Sequence, residues 1–110
     1  MVVLPLVRRR RKRGYNMPFN NDKPWLFDRQ AIESFDSGQT GVYAIYNAQR
    51  WIYIGRGDIR QRLLDHLNGD IPSINTNSPT HFRAEVTADS IKREKQLLRE
   101  YAPACNPRLA

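Results

Sequence analysis

Apolar and polar positions alternate at recognisable periods over only part of this chain, and they mark out a short series of elements. Thr40 to Tyr46 is rich in β-branched and aromatic residues and reads as a strand. Trp51 to Ile54 reads as a second, and the short Asn47 to Arg50 connection makes the two a hairpin. Asp58 is placed to cap a helix from Ile59 to about Leu67, which Gly69 closes. Residues 68–80 are rich in Asn, Gly, Pro and Ser and read as a loop. His81 to Val86 reads as a third strand, and Asp89 or Ser90 caps a helix to about Tyr101, which Pro103 stops. A shorter helix from Asp28 through Phe35 precedes the hairpin and ends at Gly38. The expected fold class is therefore α/β, a small three-stranded, mainly antiparallel sheet flanked by helices.

Length and composition narrow this further. A chain of 110 residues fits one domain with one modest core. Residues 1–24 carry Pro5, Gly14, Pro18 and Pro24 and read as a flexible basic N-terminal arm, leaving 25–110 as the folded domain. No apolar run approaches the ~20 residues of a membrane span, so no membrane association is expected. The apolar stretch Met1 to Val7 precedes the arginines instead of following them, unlike a secretory signal. Cys105 is the only cysteine, which excludes an intrachain disulfide and a thiolate cluster and makes a reducing, cytoplasmic setting the expectation.

Net charge is +7, but Arg8 to Arg13 supply six of those positives and leave +1 on the rest. Charge alone is thus weak evidence for nucleic acid. The tail reads as a solvated arm, as an anchor on phosphates, or as a stretch ahead of a true start at Met17.

Three sets of polar residues stand in apolar places. In the last helix, Leu97, Tyr101 and Leu98 fall at about 240°, 280° and 340° from Ile91, and Glu94 at about 300°, inside that stripe. A carboxylate there must reach a cation, a metal or the mouth of a cleft, the bland alternative being a structural ion pair with an arginine. Arg62 and His66 stand four apart beside the ridge of Ile59, Leu63 and Leu67, either on a solvated face or converging on a phosphate. Tyr43 and Tyr53 lie on the two hairpin strands. Placed directly opposite, they send both hydroxyls into one cleft, which requires pairing centred on residue 48 and so an odd-length turn or a bulge. A carboxylate, a guanidinium, an imidazole and two phenols, with no cysteine nucleophile and no serine triad pattern, suit phosphodiester cleavage better than acyl transfer.

These residues also carry a resemblance. Gly41-Val42-Tyr43 is similar to the first signature tripeptide of the GIY-YIG endonucleases, with Val in the middle place, and Tyr53-Ile54-Gly55 matches the second. The family's following polar residue, apolar residue, Arg-Leu and His correspond to Asp58, Ile59, Arg62-Leu63 and His66. Its late Glu, apolar pair, Tyr, Pro and Asn correspond to Glu94, Leu97-Leu98, Tyr101, Pro103 and Asn106. The resemblance spans residues 41–109 and is similar to the nuclease domain of bacterial excision-repair endonucleases. Arg56-Gly57 departs from the commoner basic residue followed by Ser, Thr or Ala.

What the resemblance implies is a metal-dependent DNA endonuclease. One divalent ion, magnesium or manganese, would sit on Glu94, and Arg62 would neutralise the crowded phosphoryl oxygens. A phenolate from Tyr43, or Tyr53 in its place, would activate water, provided that cations lower its pKa from ~10. His66 would position Tyr43 or the water, and Asn106 would orient Glu94 or a phosphate. Gly55 would let the backbone turn tightly beside the site, and Arg56 would hold substrate. The family's separate DNA-reading domain has no counterpart in these residues, so a targeting protein or low sequence specificity is expected. The alternative is a catalytically weak module of the same fold that binds DNA structures or is recruited by a partner.

Overall fold

The structure, a computed structural model, describes Phe19 and residues 23–106. Its elements in chain order are β1 (Trp25–Leu26), α1 (Arg29–Glu33), β2 (Thr40–Tyr46), β3 (Trp51–Asp58), α2 (Ile59–Leu67), α3 (Pro72–Thr76), β4 (His81–Val86) and α4 (Ser90–Tyr101). The fold is α/β, and its sheet has four strands, not the expected three, in the order β1-β4-β2-β3 with every pair antiparallel. The added strand is β1, which pairs Trp25 with Phe82 and Leu26 with His81. Two residues are too few to show a period, which is why it is silent in the sequence. The loop 68–80 likewise holds α3, begun by Pro72 in its first turn and anchored by the buried Ile74.

Local chemistry explains the other elements. Asp28 caps α1 by accepting from Ala31 N–H at 2.8 Å, and Asp58 caps α2 by accepting from Gln61 N–H at 3.1 Å. Asn47 locks the hairpin turn, its Oδ1 accepting from the N–H groups of Gln49 (2.9 Å) and Arg50 (3.0 Å). β2 runs between β3 and β4, so helices cover both its faces and all but its first residue is buried.

The pleat sends alternate residues to two cores. Tyr43, Ile45, Ile52, Phe82 and Ala84 pack with Ile32 of α1 and with Ile59 and Leu63 of α2. Val42, Ala44, Tyr46, Trp51 and Ile54 pack with Leu97 and Tyr101 of α4. Helices α2 and α4 therefore cover opposite faces. Ile91 departs from the expected stripe: it is 55% exposed, and the inward face of α4 is Ser90, Leu97, Glu100 and Tyr101. That puts Glu94 on the shoulder of the helix instead of its centre.

The basic arm expected over residues 1–24 falls mostly outside the described residues. Within that range Phe19 is buried, its ring tilted against Tyr101 with centroids 6.0 Å apart. Among the described residues no helix is long and apolar enough to cross a membrane.

Candidate active site

The register of β2 and β3 builds the site. Tyr43 pairs with Gly55 and Ile45 pairs with Tyr53, with a shift between Ile45 and Tyr46. Tyr43 and Tyr53 are therefore diagonal neighbours, not direct partners. The period-2 pleat still puts them on the same face, with ring centroids 6.4 Å apart. Gly55 lies inside β3 and makes no turn. A Cβ there would collide with the Tyr43 hydroxyl and ring, so glycine is required because the phenol lies across this backbone.

The Tyr43 hydroxyl emerges beyond Gly55 against α2. His66, one turn after Arg62 on that helix, is fully buried, and its Nε2 is 2.6 Å from Tyr43 Oη. The imidazole also meets Tyr53, with ring centroids 5.0 Å apart. His66 Nδ1 lies 2.8 Å from Oδ1 of Asp70. Gly69, in the left-handed region at φ +89°, turns the chain back at the end of α2 and delivers that carboxylate. Arg62 keeps 38% of its side chain exposed and extends Nη1 to Asp65 (3.4 Å) and Asp70 (3.9 Å).

Burial dominates the electrostatics here. It pushes the Tyr43 phenol far above its ordinary value, Tyr53 pushes the same way, and the Arg62 cation opposes both. Burial also raises Tyr53, again against Arg62. The expectation of a phenol with lowered pKa is therefore reversed, because desolvating a phenolate costs more than one half-exposed guanidinium returns. Burial lowers His66, with Asp70 opposing, which leaves a neutral imidazole at pH 7.

Glu94 approaches from the other face. It is 24% exposed and its Oε1 lies 3.5 Å from Nε of Arg56, which is 45% exposed. Burial raises the carboxyl and Arg56 lowers it. Arg56 pairs with Val42, on the α4 side of the sheet. Arg62 and Glu94 thus belong to opposite faces. β3 is an edge strand, however, and its Tyr53 phenol responds to both, ionisation being favoured by Arg62 and opposed by Glu94. The two charges act on one hydroxyl from the two sides of that strand.

Asn106 serves the same edge. Its side-chain amide accepts from Ile54 N–H and donates to Ile54 C=O, both at 2.7 Å. Ala104 and Cys105 donate backbone N–H groups to Trp51 and Ile52. Asn106 therefore seals the margin of β3, its side-chain amide bonded to Ile54.

Among the described residues no three His, Cys, Asp or Glu side chains converge as a metal site. Glu94 is a single hard oxygen donor open to water. That suits a magnesium ion held mostly by water and phosphate, provided Arg56 gives way.

Two polar groupings stand outside the residues that the sequence singles out. Asp70 falls in the segment whose Asn, Gly, Pro and Ser content predicts a loop, although Gly69 followed by an acid four residues after a histidine is a usable signal. On the α4 face, Arg93 forms a bidentate ion pair with Glu85 (Nε–Oε2 2.6 Å, Nη2–Oε1 3.0 Å), the carboxylate buried and the guanidinium partly so. Arg83 lies there over the rings of Tyr46 and Trp51. Alternation in β4 puts Arg83 and Glu85 on one polar face, where Arg83 is covered by the rings of Tyr46 and Trp51 and Glu85 by Arg93 of α4. No protein-family model, no curated protein and no solved structure matches this chain.

Proposed function

We propose that this protein is a DNA endonuclease that hydrolyses phosphodiester bonds in the manner of the GIY-YIG family. The observation that carries this reading is the cluster of Tyr43, Tyr53 and His66, drawn from two strands and a helix, with the Arg62 guanidinium beside both phenols. Arg62 has the exposure and the fork geometry to hold phosphoryl oxygens as their charge concentrates. Tyr53 is the more open phenol, and it orients the attacking water as a neutral hydroxyl. Tyr43, fully buried, acts from behind through its bond to His66. Arg56, exposed on the edge strand, is placed to hold a flanking phosphate. Asn106 keeps that strand from fraying.

Glu94 would hold one divalent cation, magnesium or manganese, with Arg56 moving from carboxylate to phosphate. When bound, the ion supplies charge stabilisation at the scissile phosphate.

The second reading is a module of the same fold that binds DNA structures, or is recruited by a targeting partner, with weak catalysis. The contact between Glu94 and Arg56 favours it, since the carboxylate already has a cation. A cleavage panel separates the two: duplex, nicked, flap and branched DNA, plus RNA, with and without magnesium or manganese. The nuclease reading expects metal-dependent cutting of at least one DNA, reduced ~100-fold or more by Arg62→Ala in a protein that still folds. Tight DNA binding with no cutting under any condition would establish the module.

A further inference from the structure

The chain of polar contacts behind Tyr43 has a direction, and Asp70 sets it. An ionised carboxylate can only accept, so the 2.8 Å contact between Asp70 Oδ1 and His66 Nδ1 places the imidazole proton on Nδ1. His66 is fully buried, and burial keeps it neutral, so its Nε2 carries a lone pair. The 2.6 Å contact to Tyr43 then has one polarity, in which the phenol O–H donates to Nε2. The lone pairs of the Tyr43 oxygen are left for the Arg62 cation, whose field acts on that oxygen. With the proton on Nε2 instead, Tyr43 would accept from His66 and turn its own hydrogen toward the guanidinium, donor against donor. Asp70 also lies 3.9 Å from Arg62, so one carboxylate braces both the imidazole and the guanidinium.

We infer that Asp70 is a positioning residue of the site: it fixes the His66 proton on Nδ1, and so aligns Tyr43 and Arg62 without touching substrate. Its effect on rate rests on the nuclease reading, whereas its hold on His66 does not. Carboxylates that orient a metal-bound histidine govern ~10–100-fold in activity, and an effect of the same order is expected where the histidine instead orients a phenol. The Gly69 turn is part of the device, because Asp70 lies beyond the end of α2 and must be folded back to reach residue 66.

The test reads the proton directly, by 15N NMR of the His66 ring in the full chain at neutral pH. Wild type should show a protonated Nδ1 and a bare Nε2. In Asp70→Asn the side-chain NH2 can donate to Nδ1, so Nε2 should gain the proton. On a DNA that wild type cuts, kcat should fall ~10–100-fold with KM within about twofold, and Asp70→Glu should recover part of both the tautomer and the rate. A wild-type imidazole carrying its proton on Nε2, or an Asp70→Asn protein unchanged in tautomer and kcat, overturns the inference. If wild type cuts nothing while the tautomer follows Asp70 as described, the nuclease reading fails and the control of His66 by Asp70 stands.

Discussion

On the α4 face of the sheet the buried charges close on each other, whereas on the α2 face the polar groups run in a chain from the interior to solvent. Arg93 and Glu85 meet through two short hydrogen bonds beneath α4, each satisfying the other. On the other face, Tyr43 and His66 are buried neutral groups, and they connect outward to half-exposed Asp70 and Arg62. Both faces satisfy buried polarity, as an interior must. They differ in what the polarity is available for. A closed ion pair fixes one packing of helix on sheet, while an open chain of proton-bearing groups ending at solvent is suited to chemistry.

The largest expected effect tests the structural half of this contrast. Arg93→Ala strips the buried Glu85 of its bidentate partner, and breaking such a pair from one side costs roughly 3–5 kcal/mol. Chemical denaturation should show that loss, while any cleavage by the fraction still folded stays near wild type. A comparable loss of cleavage in the folded fraction would mean that the α4 face is also part of the reaction.

Next comes Glu94→Gln, which keeps the shape and removes the charge. As a metal ligand, Glu94 should be worth ~100-fold or more in cleavage. As half of an exposed pair with Arg56, it should be worth at most about 1 kcal/mol in stability. DNA binding without metal should hold or improve, because a negative charge near a polyanion is gone. A variant that melts early yet cuts at the wild-type rate when folded removes the metal role.

Why the two faces were unequally legible follows from which forces are local. The strands Thr40–Tyr46 and His81–Val86 and the helices Ile59–Leu67 and Ser90–Tyr101 could be read because period and caps reside within each segment. Asp58 announces α2 through its own side chain. The relation of Tyr43 to Tyr53 was legible in face but not in register, since the shift at Ile45 and Tyr46 is decided by how the Asn47 turn closes. Gly55 has its reason across the hairpin, in the path of the Tyr43 ring. Asp70 could not be matched to His66 without the Gly69 turn, nor Glu85 to Arg93 without the packing of α4. The raised phenols leave no mark in the sequence, because burial and not the number of nearby cations sets them. What escaped was in each case a contact between elements.

The α2 face should feel mild acid through buried His66, beside a second contribution from His81, whose imidazole burial also lowers and which stacks on Tyr46 on the other face. Burial lowers His66 from its ordinary value of 6.5, while Asp70 pulls the other way; Arg62, Asp65 and Asp70 are the charges acting on it. Unfolded chains take up the proton as pH falls through that value and the native state does not. The stability contributed by neutral His66 is therefore complete above pH 6.5 and lost progressively below it. Melting temperature should fall as the pH drops through 6.5 and below, and His66→Gln should flatten that slope. Glu94, whose carboxyl is raised, contributes with the opposite sign and in the lower range where carboxylates titrate. An unchanged slope in His66→Gln would mean that the acid sensitivity lies elsewhere than the Tyr43–His66–Asp70 chain.

The smallest effect, and the one that bears most directly on the contrast, is Arg56→Ala. The Arg56–Glu94 pair resembles the Arg93–Glu85 pair in kind but not in setting: its Nε–Oε1 distance is 3.5 Å, and 45% and 24% of its two side chains are exposed. A pair so open to water contributes about 0–1 kcal/mol, so the melting temperature of Arg56→Ala should barely move. Two other readouts should. With its competing cation gone, Glu94 should need less magnesium for half-maximal cleavage. If Arg56 also holds a phosphate, metal-free DNA binding should weaken, and its log–log salt slope should become shallower by ~0.9. Both changes together describe a guanidinium that exchanges carboxylate for phosphate as substrate and ion arrive. A marked fall in melting temperature with no change in the magnesium requirement would instead make Arg56–Glu94 a second structural clamp under α4. The margin of β3 that carries Arg56 would then belong with the closed face of the molecule, and Arg62, Tyr53 and the chain behind them would have to act without Glu94.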